Sequence, residues 1–125
     1  MKGDNQPRQL LSYKDLTVWQ KSRELVKAIY LLLSKFPSSE KYGLVDQIKR
    51  ASVSIVANIA EGKQRQTKKE YVQFLFIAYG SSAEVEALLT LAIDLEFATE
   101  KELIPIFNEL TQIQKMLNVM IYKLK

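Results

Sequence analysis

Carboxylates are the side chains of this sequence that come nearest to a catalytic set, but their spacing does not suit paired acid–base chemistry. Glu84 and Glu86 stand two positions apart in a helical segment, and Glu61 lies in a separate segment. At about 100° per residue, two positions on a helix place side chains about 200° apart, so Glu84 and Glu86 cannot face each other. A two-carboxylate hydrolase site or a di-metal carboxylate site is therefore not predicted.

The residue types that are missing exclude more chemistry than the carboxylates offer. The 125 residues include no cysteine and no histidine. Disulfides, thiolate nucleophiles, zinc–cysteine sites and iron–sulfur ligation are thereby excluded, as are Ser-His triads and histidine ligands of di-iron bundles. We therefore predict a protein that is not an enzyme, with no catalytic residue, no metal and no cofactor.

A polar seam runs through residues 47–62 beside an apolar one. Gln47, Arg50, Ser54 and Asn58 step along neighbouring helical positions, with Glu61 just beyond them. Three interpretations stay open: a close helix contact with satisfied hydrogen bonds, a binding site built by Asn58 and Glu61, or a polar network between subunits. Farther along, Gly80 and Ser81 are small enough to let another helix approach, and Glu84 follows them.

Basic side chains form the clearest chemical signal. Between residues 49 and 69 six basic residues face one acid, Glu61, so this stretch carries more positive charge than the net +4 of the chain. Such a patch binds phosphates without reading bases, although lysines in helix connections also serve solubility alone. No glycine-rich phosphate loop accompanies it. The predicted nucleic-acid-binding residues are Lys49, Arg50, Lys63, Arg65, Lys68 and Lys69.

The elements that position these residues are predicted to be helices throughout. Apolar residues recur at three- and four-residue steps, and no stretch of strand length alternates. Ser12 with Asp15, Thr67 with Glu70 and Thr99 with Glu102 have the form of capping boxes, Gly62 suits a C-cap with positive φ, and Pro105 predicts a kink or late helix start. The predicted helices run from Ser12 to Pro37, from Leu44 to Gly62, over about 68–97, and from Thr99 to the end.

Four helices with short connections predict an all-α fold, an antiparallel up-down-up-down four-helix bundle. Residues 1–12 are predicted to be a flexible tail and residues 13–125 a single domain. The N-terminus has no apolar stretch of the kind a signal peptide needs, so a soluble cytoplasmic protein without membrane contact is expected.

The third helix is too apolar for a monomeric bundle. Residues 71–79 are apolar almost all round the helix, and Val72, Phe76 and Tyr79 would leave an exposed patch together with a second apolar stripe on the first helix. We therefore predict a homo-oligomer, for which a ring or a dimer would each serve.

Four blocks of sequence resemble one protein family. They read DLTVWQKS (15–22), FPSSEKYGL (36–44), QIKRASVSIVANIAEG (47–62) and FLFIAYGSSAEVE (74–86). In this order and spacing they resemble the bacterial four-helix-bundle family of 23S ribosomal RNA intervening-sequence proteins. The positions that match the family pattern are Trp19, Gly43, Leu44, Gln47, Arg50, Ser54, Asn58, Ile59, Ala60, Glu61, Gly62, Gly80, Ser81 and Glu84. Lys49 and Val45 depart from it, and Val45 leaves the second helix without its usual cap.

The resemblance implies an up-down bundle assembled as a cyclic homopentamer, in a family without an established activity. It also implies kinship with the accessory variability proteins of diversity-generating retroelements, pentameric bundles that bind nucleic acid and a reverse transcriptase. Our leading hypothesis is a non-enzymatic oligomer that binds RNA or DNA backbone through its basic surface, as an accessory to another protein such as a reverse transcriptase. The alternative is a protein-interaction scaffold with no nucleic-acid role.

Overall fold

Helices make up most of the chain in the computed structural model, which describes residues 12–125. The predicted tail therefore lies, apart from Ser12, outside the described residues. Short 3-10 turns at Tyr13–Asp15 and Ser38–Glu40 precede the first and second helices, and the described residues contain no strand. The predicted all-α fold of four helices is confirmed. The helices are α1 (Thr17–Leu33), α2 (Leu44–Lys63), α3 (Lys68–Asp94) and α4 (Glu100–Leu124).

Each helix packs against two others, as in a four-helix bundle. Helices α1 and α3 both contact α2 and α4. Contacts between α2 and α3 join Ser54 to Ser81 and Gly62 to Phe74, so residue numbers rise on one helix as they fall on the other. This is the contact order of an antiparallel pair.

The other helix pairs follow the same order. Between α1 and α4, residues 16–18 lie beside 115–120, and residues 28–35 lie beside 102–106. Connections of four residues between α2 and α3 and five between α3 and α4 are of the length that joins antiparallel neighbours. Contact order and connection length both support the expected up-down-up-down arrangement.

One stripe of each helix forms the core. On α1 this stripe contains Val18, Leu25, Ile29 and Leu32, which form the second apolar stripe that was expected to be left exposed. That stripe is therefore buried within one chain. Among its large apolar side chains, α1 leaves Tyr30 and Leu31 exposed. Fully buried side chains include Leu25 and Ile29 of α1, Ile48, Ile55 and Ile59 of α2, Leu75, Val85 and Leu89 of α3, and Leu103, Leu110, Ile113 and Leu117 of α4.

The predicted helix starts are partly correct. Thr99 and Glu102 form a complete capping box at α4, and Thr67 accepts a hydrogen bond from the Glu70 amide at α3. Ser12 also forms its box, but around the 3-10 turn, because Leu16 adopts an extended backbone and α1 begins only at Thr17. The predicted start of α1 at Ser12 is therefore wrong. Helix α4 runs unbroken from Glu100 through Pro105, so it does not start late.

The predicted role of Gly62 as a positive-φ cap is also wrong. No glycine in the described residues has positive φ, and α2 continues through Gly62 to Lys63. Gly62 is buried against α3: a Cβ placed there would lie 2.8 Å from Phe74 Cβ and 3.1 Å from Tyr71 Cδ1. Close approach of the two helices is what requires glycine.

Candidate nucleic-acid interface

Charge is distributed unequally between the two ends of the bundle. At the end where α1 and α3 begin and α2 and α4 finish, called the basic end, residues 12–16, 60–71 and 121–125 contain seven basic and three acidic side chains. The acidic end, residues 33–47 and 94–103, contains three basic and six acidic ones. Basic-end cations are Lys14, Lys63, Arg65, Lys68, Lys69, Lys123 and Lys125; the acids at the acidic end are Glu40, Asp46, Asp94, Glu96, Glu100 and Glu102.

Four of the six predicted phosphate-binding residues meet at the basic end. Lys63 ends α2, Arg65 lies in the connection, and Lys68 and Lys69 begin α3. Lys68 and Lys69 are exposed. Arg65 is held locally: its Nη2 lies 2.6 Å from Glu61 Oε2 and its Cζ lies 4.7 Å from the centre of the Phe74 ring. Lys68 and Lys69 are therefore better placed than Arg65 to reach a ligand, and Lys63 beside them is half-buried.

Lys49 and Arg50 do not join this group. They lie about 20 Å farther up α2, at about 1.5 Å per residue from Lys63. Arg50 Nε is 2.9 Å from Asp46 Oδ2, and Lys49 Nζ lies 4.8 Å from the centre of the Tyr30 ring. Continuity in sequence does not make one continuous patch here, because a helix separates the two groups along its axis.

Sequence reasoning missed the cations that α4 brings to the same end. Lys123 and Lys125 lie at the finish of α4, beside the start of α3. Lys125 shares a groove of about 490 Å³ with Lys68 and Lys69, lined also by Val72, Gln73, Phe76 and Leu124. An antiparallel bundle places the finish of the fourth helix beside the start of the third, so the predicted topology already contained this signal.

The polar seam is satisfied within the chain. Ser54 Oγ and Ser81 Oγ are 2.8 Å apart across the α2–α3 contact, and Asn58 Nδ2 donates to the Ser54 carbonyl oxygen at 2.8 Å and to Ser54 Oγ at 2.9 Å. Gln47 is exposed. These bonds support the interpretation of a close helix contact with paired polar groups.

The small residues of α3 face in two directions. Ser81 and Ser82 are buried, and Ser82 Oγ donates to the Tyr79 carbonyl oxygen at 2.6 Å. Gly80 faces outward, and a Cβ there would meet no atom within 4 Å. Within one chain the close helix contact is therefore made by the serines, and Gly80 takes no part in it.

The carboxylates do not assemble into a reactive site. Glu84 is exposed, and Glu86 Oε1 accepts a hydrogen bond from Gln114 Nε2 at 3.2 Å. Residues 12–125 contain no group of three or more Asp or Glu side chains placed to hold a metal ion. Elsewhere, burial raises the pKa of the Tyr71 hydroxyl above its ordinary 10.0.

Helix α3 is long and apolar enough, by length and composition, to cross a membrane. One third of the residues in its most apolar 18-residue stretch are buried. The same composition occurs in core helices of soluble bundles. Here α3 packs against both α2 and α4. Glu84 and Glu86 lie in its interior, where a bilayer would penalise charge.

Comparison with known proteins places the sequence in a family. Residues 14–119 match the family described as 23S rRNA-intervening sequence protein. The chain belongs to this family. A crystal structure of a protein of unknown function from the S23 ribosomal protein family of Bacteroides thetaiotaomicron is also similar, with 32% identity and a TM-score of 0.76 over 84% of this chain and 98% of that one. A comparison with curated proteins finds no match.

Two further residues that the resemblance singled out, Trp19 and Gly43, lie near helix starts. Trp19 is buried near the start of α1. The Tyr13 ring lies edge-on to it with 5.0 Å between ring centres, and Arg23 Cζ lies 5.5 Å from the centre of the Trp19 ring. Trp19 Nε1 has no hydrogen-bond partner in the part of the chain that the structure describes. Gly43 is the N-cap of α2 and has no side chain with which to cap it. Val45 is the second residue of the helix, so the expectation that it occupies the capping position is wrong.

Proposed function

We propose that this 23S rRNA-intervening sequence protein is a non-enzymatic homo-oligomer that binds the phosphate backbone of RNA or DNA through its basic end. The observation that carries the proposal is the charge separation along the bundle. Phosphate groups are attracted by the lysines of the basic end and repelled by the carboxylates of the acidic end. A polyanion therefore meets the basic end first.

Lysines at this end suit backbone binding without base recognition. Lys63, Lys68 and Lys69 come from the finish of α2 and the start of α3, and their flexible side chains can follow phosphates whose spacing varies. Each phosphate contact releases condensed counterions, so affinity falls as salt rises. The proposal therefore requires steep salt dependence.

Oligomerisation is proposed from the outward face of α3. Ile77 is 50% exposed and Leu91 43%, and Gly80, Glu84 and Ala87 lie between them on the same face. Gly80 and Ala87 are small enough for the helix of a second copy to approach closely beside Ile77 and Leu91. A closed ring of five, the form that the family resemblance implies, would place every basic end on one rim if the bundles lie along the ring axis.

The test is binding of a fluorescent RNA or DNA duplex by anisotropy across salt concentrations. The variant Lys63→Gln, Lys68→Gln, Lys69→Gln should bind more weakly, and its log Kd against log salt slope should fall by up to about 0.9 for each lost contact. The matched control is Lys35→Gln, Lys41→Gln, Lys101→Gln, which removes the same charge from the acidic end. If both variants bind like the parent, or both lose affinity equally, the interface is not at the basic end.

A second candidate function is a scaffold for protein partners without a nucleic-acid role. The exposed apolar face of α3 favours it, because that face would serve a partner as well as a second copy. This candidate predicts no salt-dependent binding to either duplex. A reverse transcriptase is the partner class that the resemblance implies, and it is compatible with both candidates in the cytoplasm.

A further inference from the structure

We infer that the groove between the start of α3 and the finish of α4 binds an unpaired nucleotide of a single strand, with its base on Phe76 and its phosphates on Lys68, Lys69 and Lys125. The inference rests on the proposed function and deepens it. It assigns the basic end a preference for single-stranded over duplex nucleic acid.

The groove brings together two chain segments that are distant in sequence. Its volume of about 490 Å³ lies within the range of small-ligand sites, about 300–1,000 Å³. Phe76 is 48% exposed, so an apolar ring faces solvent beside the lysines of the basic end. The ring is within reach of a cation, since Lys125 Nζ lies 5.4 Å from its centre.

The lining suits a nucleotide in each of its parts. Every base has a π-face that stacks on an aromatic ring, and Phe76 offers such a ring. Gln73 carries an amide that can both donate and accept at a base edge. Lysines at the rim take the phosphates, and a phosphate draws the Lys125 ammonium away from the ring. Val72 and Leu124 give the apolar surroundings.

Duplex nucleic acid cannot use this groove in the same way. Its bases are paired and stacked on one another, so their faces are closed to Phe76. A duplex would contact only the lysines, as the backbone proposal requires. The two modes therefore differ at the residues that meet the base, and a substitution of Phe76 isolates the stacking contact.

The experiment compares a labelled 12-nucleotide single strand with the duplex of the same sequence. Phe76→Leu removes the aromatic face and keeps an apolar side chain. It should weaken single-strand binding about fivefold to a hundredfold, the contribution of one base–aromatic stack, and leave duplex affinity within about twofold. The matched control is Tyr42→Leu, which removes an exposed aromatic at the acidic end and should change neither affinity.

The lysine contributed by α4 gives an independent expectation. Lys125→Gln should lower the salt slope of single-strand binding by about 0.7, the value for one phosphate contact on a single strand. A strand containing 5-iodouracil should, under long-wavelength ultraviolet light, crosslink to Phe76 as read by mass spectrometry of the digested protein. A crosslink only to other residues would overturn the assignment of the base.

The outcomes separate this inference from the proposed function. If the parent protein binds both ligands and Phe76→Leu weakens neither, the groove is not a base site and the backbone proposal stands. If the parent binds neither ligand, both fail. If Phe76→Leu changes the particle mass by light scattering, Phe76 belongs to a subunit contact and the inference is wrong. Competition by adenosine monophosphate as strong as by the strand would assign the groove to a free nucleotide instead.

Discussion

The packing of α2 on α3 leaves no room for a side chain at Gly62. Adding one methyl group there brings Cβ within 2.8 Å of Phe74 Cβ and 3.3 Å of the Tyr71 carbonyl oxygen. Gly62→Ala should lower the free energy of unfolding by about 1–2 kcal/mol, because overpacking costs about 1–3 kcal/mol and the better helix propensity of alanine returns up to about 1. Chemical denaturation followed by circular dichroism measures it.

The control for this substitution is Gln64→Ala, two residues along the chain. Gln64 is exposed at the C-cap of α2, so its replacement should change stability by no more than about 0.5 kcal/mol. An unchanged or raised stability in Gly62→Ala would show that α2 and α3 separate easily at this end.

Tyr71 should make the folded chain less stable as the pH rises into the alkaline range. Its hydroxyl has a raised pKa in the folded chain because burial disfavours the phenolate. The unfolded chain therefore loses this proton first, so stability is unaffected below pH ~10 and falls as pH rises above it. Tyr71→Phe should lose less stability than the parent between pH 9 and 11 on this account; equal losses would contradict it. Denaturation at each pH is the measurement.

At the residue scale the sequence predicted roles that depend on local contacts. Thr99 as a helix cap follows from the residue three positions later, and the structure confirms it. Gly62 could not be interpreted in the same way, because its neighbours belong to another helix. The pairing of Ser54 with Ser81 likewise depends on the register between α2 and α3, which periodicity alone does not fix.

The turn that ends α3 holds a residue other than glycine, Glu96, in the left-handed backbone conformation. Glu96 has φ 65°, and the amides of Glu96 and Phe97 bond back to Ile93 and Ala92 in the hydrogen-bond pattern of a Schellman motif. This left-handed position normally holds glycine. Glu96→Gly should therefore be more stable than Glu96→Ala by about 1 kcal/mol, both variants removing the same charge.

Thermal and chemical unfolding of these two variants measure the difference. Equal stabilities would mean that the α3–α4 connection does not hold Glu96 in the left-handed conformation. The motif also explains why α3 ends at Asp94 although the prediction ran to residue 97: the last turn closes on Ala92 and Ile93, and Phe97 turns back toward Phe36, 5.7 Å from it between ring centres.

Helix number and type were predictable because apolar periodicity extends over many residues. Boundaries were less so at α1, where the Ser12 capping box is real but closes a separate 3-10 turn. A capping signature specifies a turn of hydrogen bonds and not the length of helix that follows. The extended backbone of Leu16 separates the 3-10 turn from α1, and no residue pattern in the sequence marks that break.

For the whole molecule, assembly is the property that the outward face of α3 predicts. Ile77→Glu with Leu91→Glu should convert the proposed oligomer to a monomer, because two charges beyond that of Glu84 would be buried between copies. The control Leu31→Glu places a charge on the exposed face of α1 and should leave the particle mass unchanged. Light scattering with circular dichroism distinguishes dissociation from unfolding. A monomeric parent protein would refute the proposed assembly.

Charge at the scale of the molecule depends on topology more than on sequence order. The run from Lys49 to Lys69 is continuous in the sequence, yet α2 separates its first two cations from the others by about 20 Å. Lys125 is distant in sequence and shares a groove with Lys68 and Lys69. The basic end could be assembled from the sequence only after the antiparallel order of all four helices was applied to every charge.

Protection of lysines by bound nucleic acid tests directly whether the basic end is where phosphates bind. The native protein is acetylated briefly with and without an RNA duplex at low salt, and the extent of modification at each lysine is measured by mass spectrometry. We expect slower acetylation of Lys63, Lys68 and Lys69 with RNA, and unchanged acetylation of Lys35, Lys41 and Lys101. Equal protection at both ends, or none at the basic end, would contradict it.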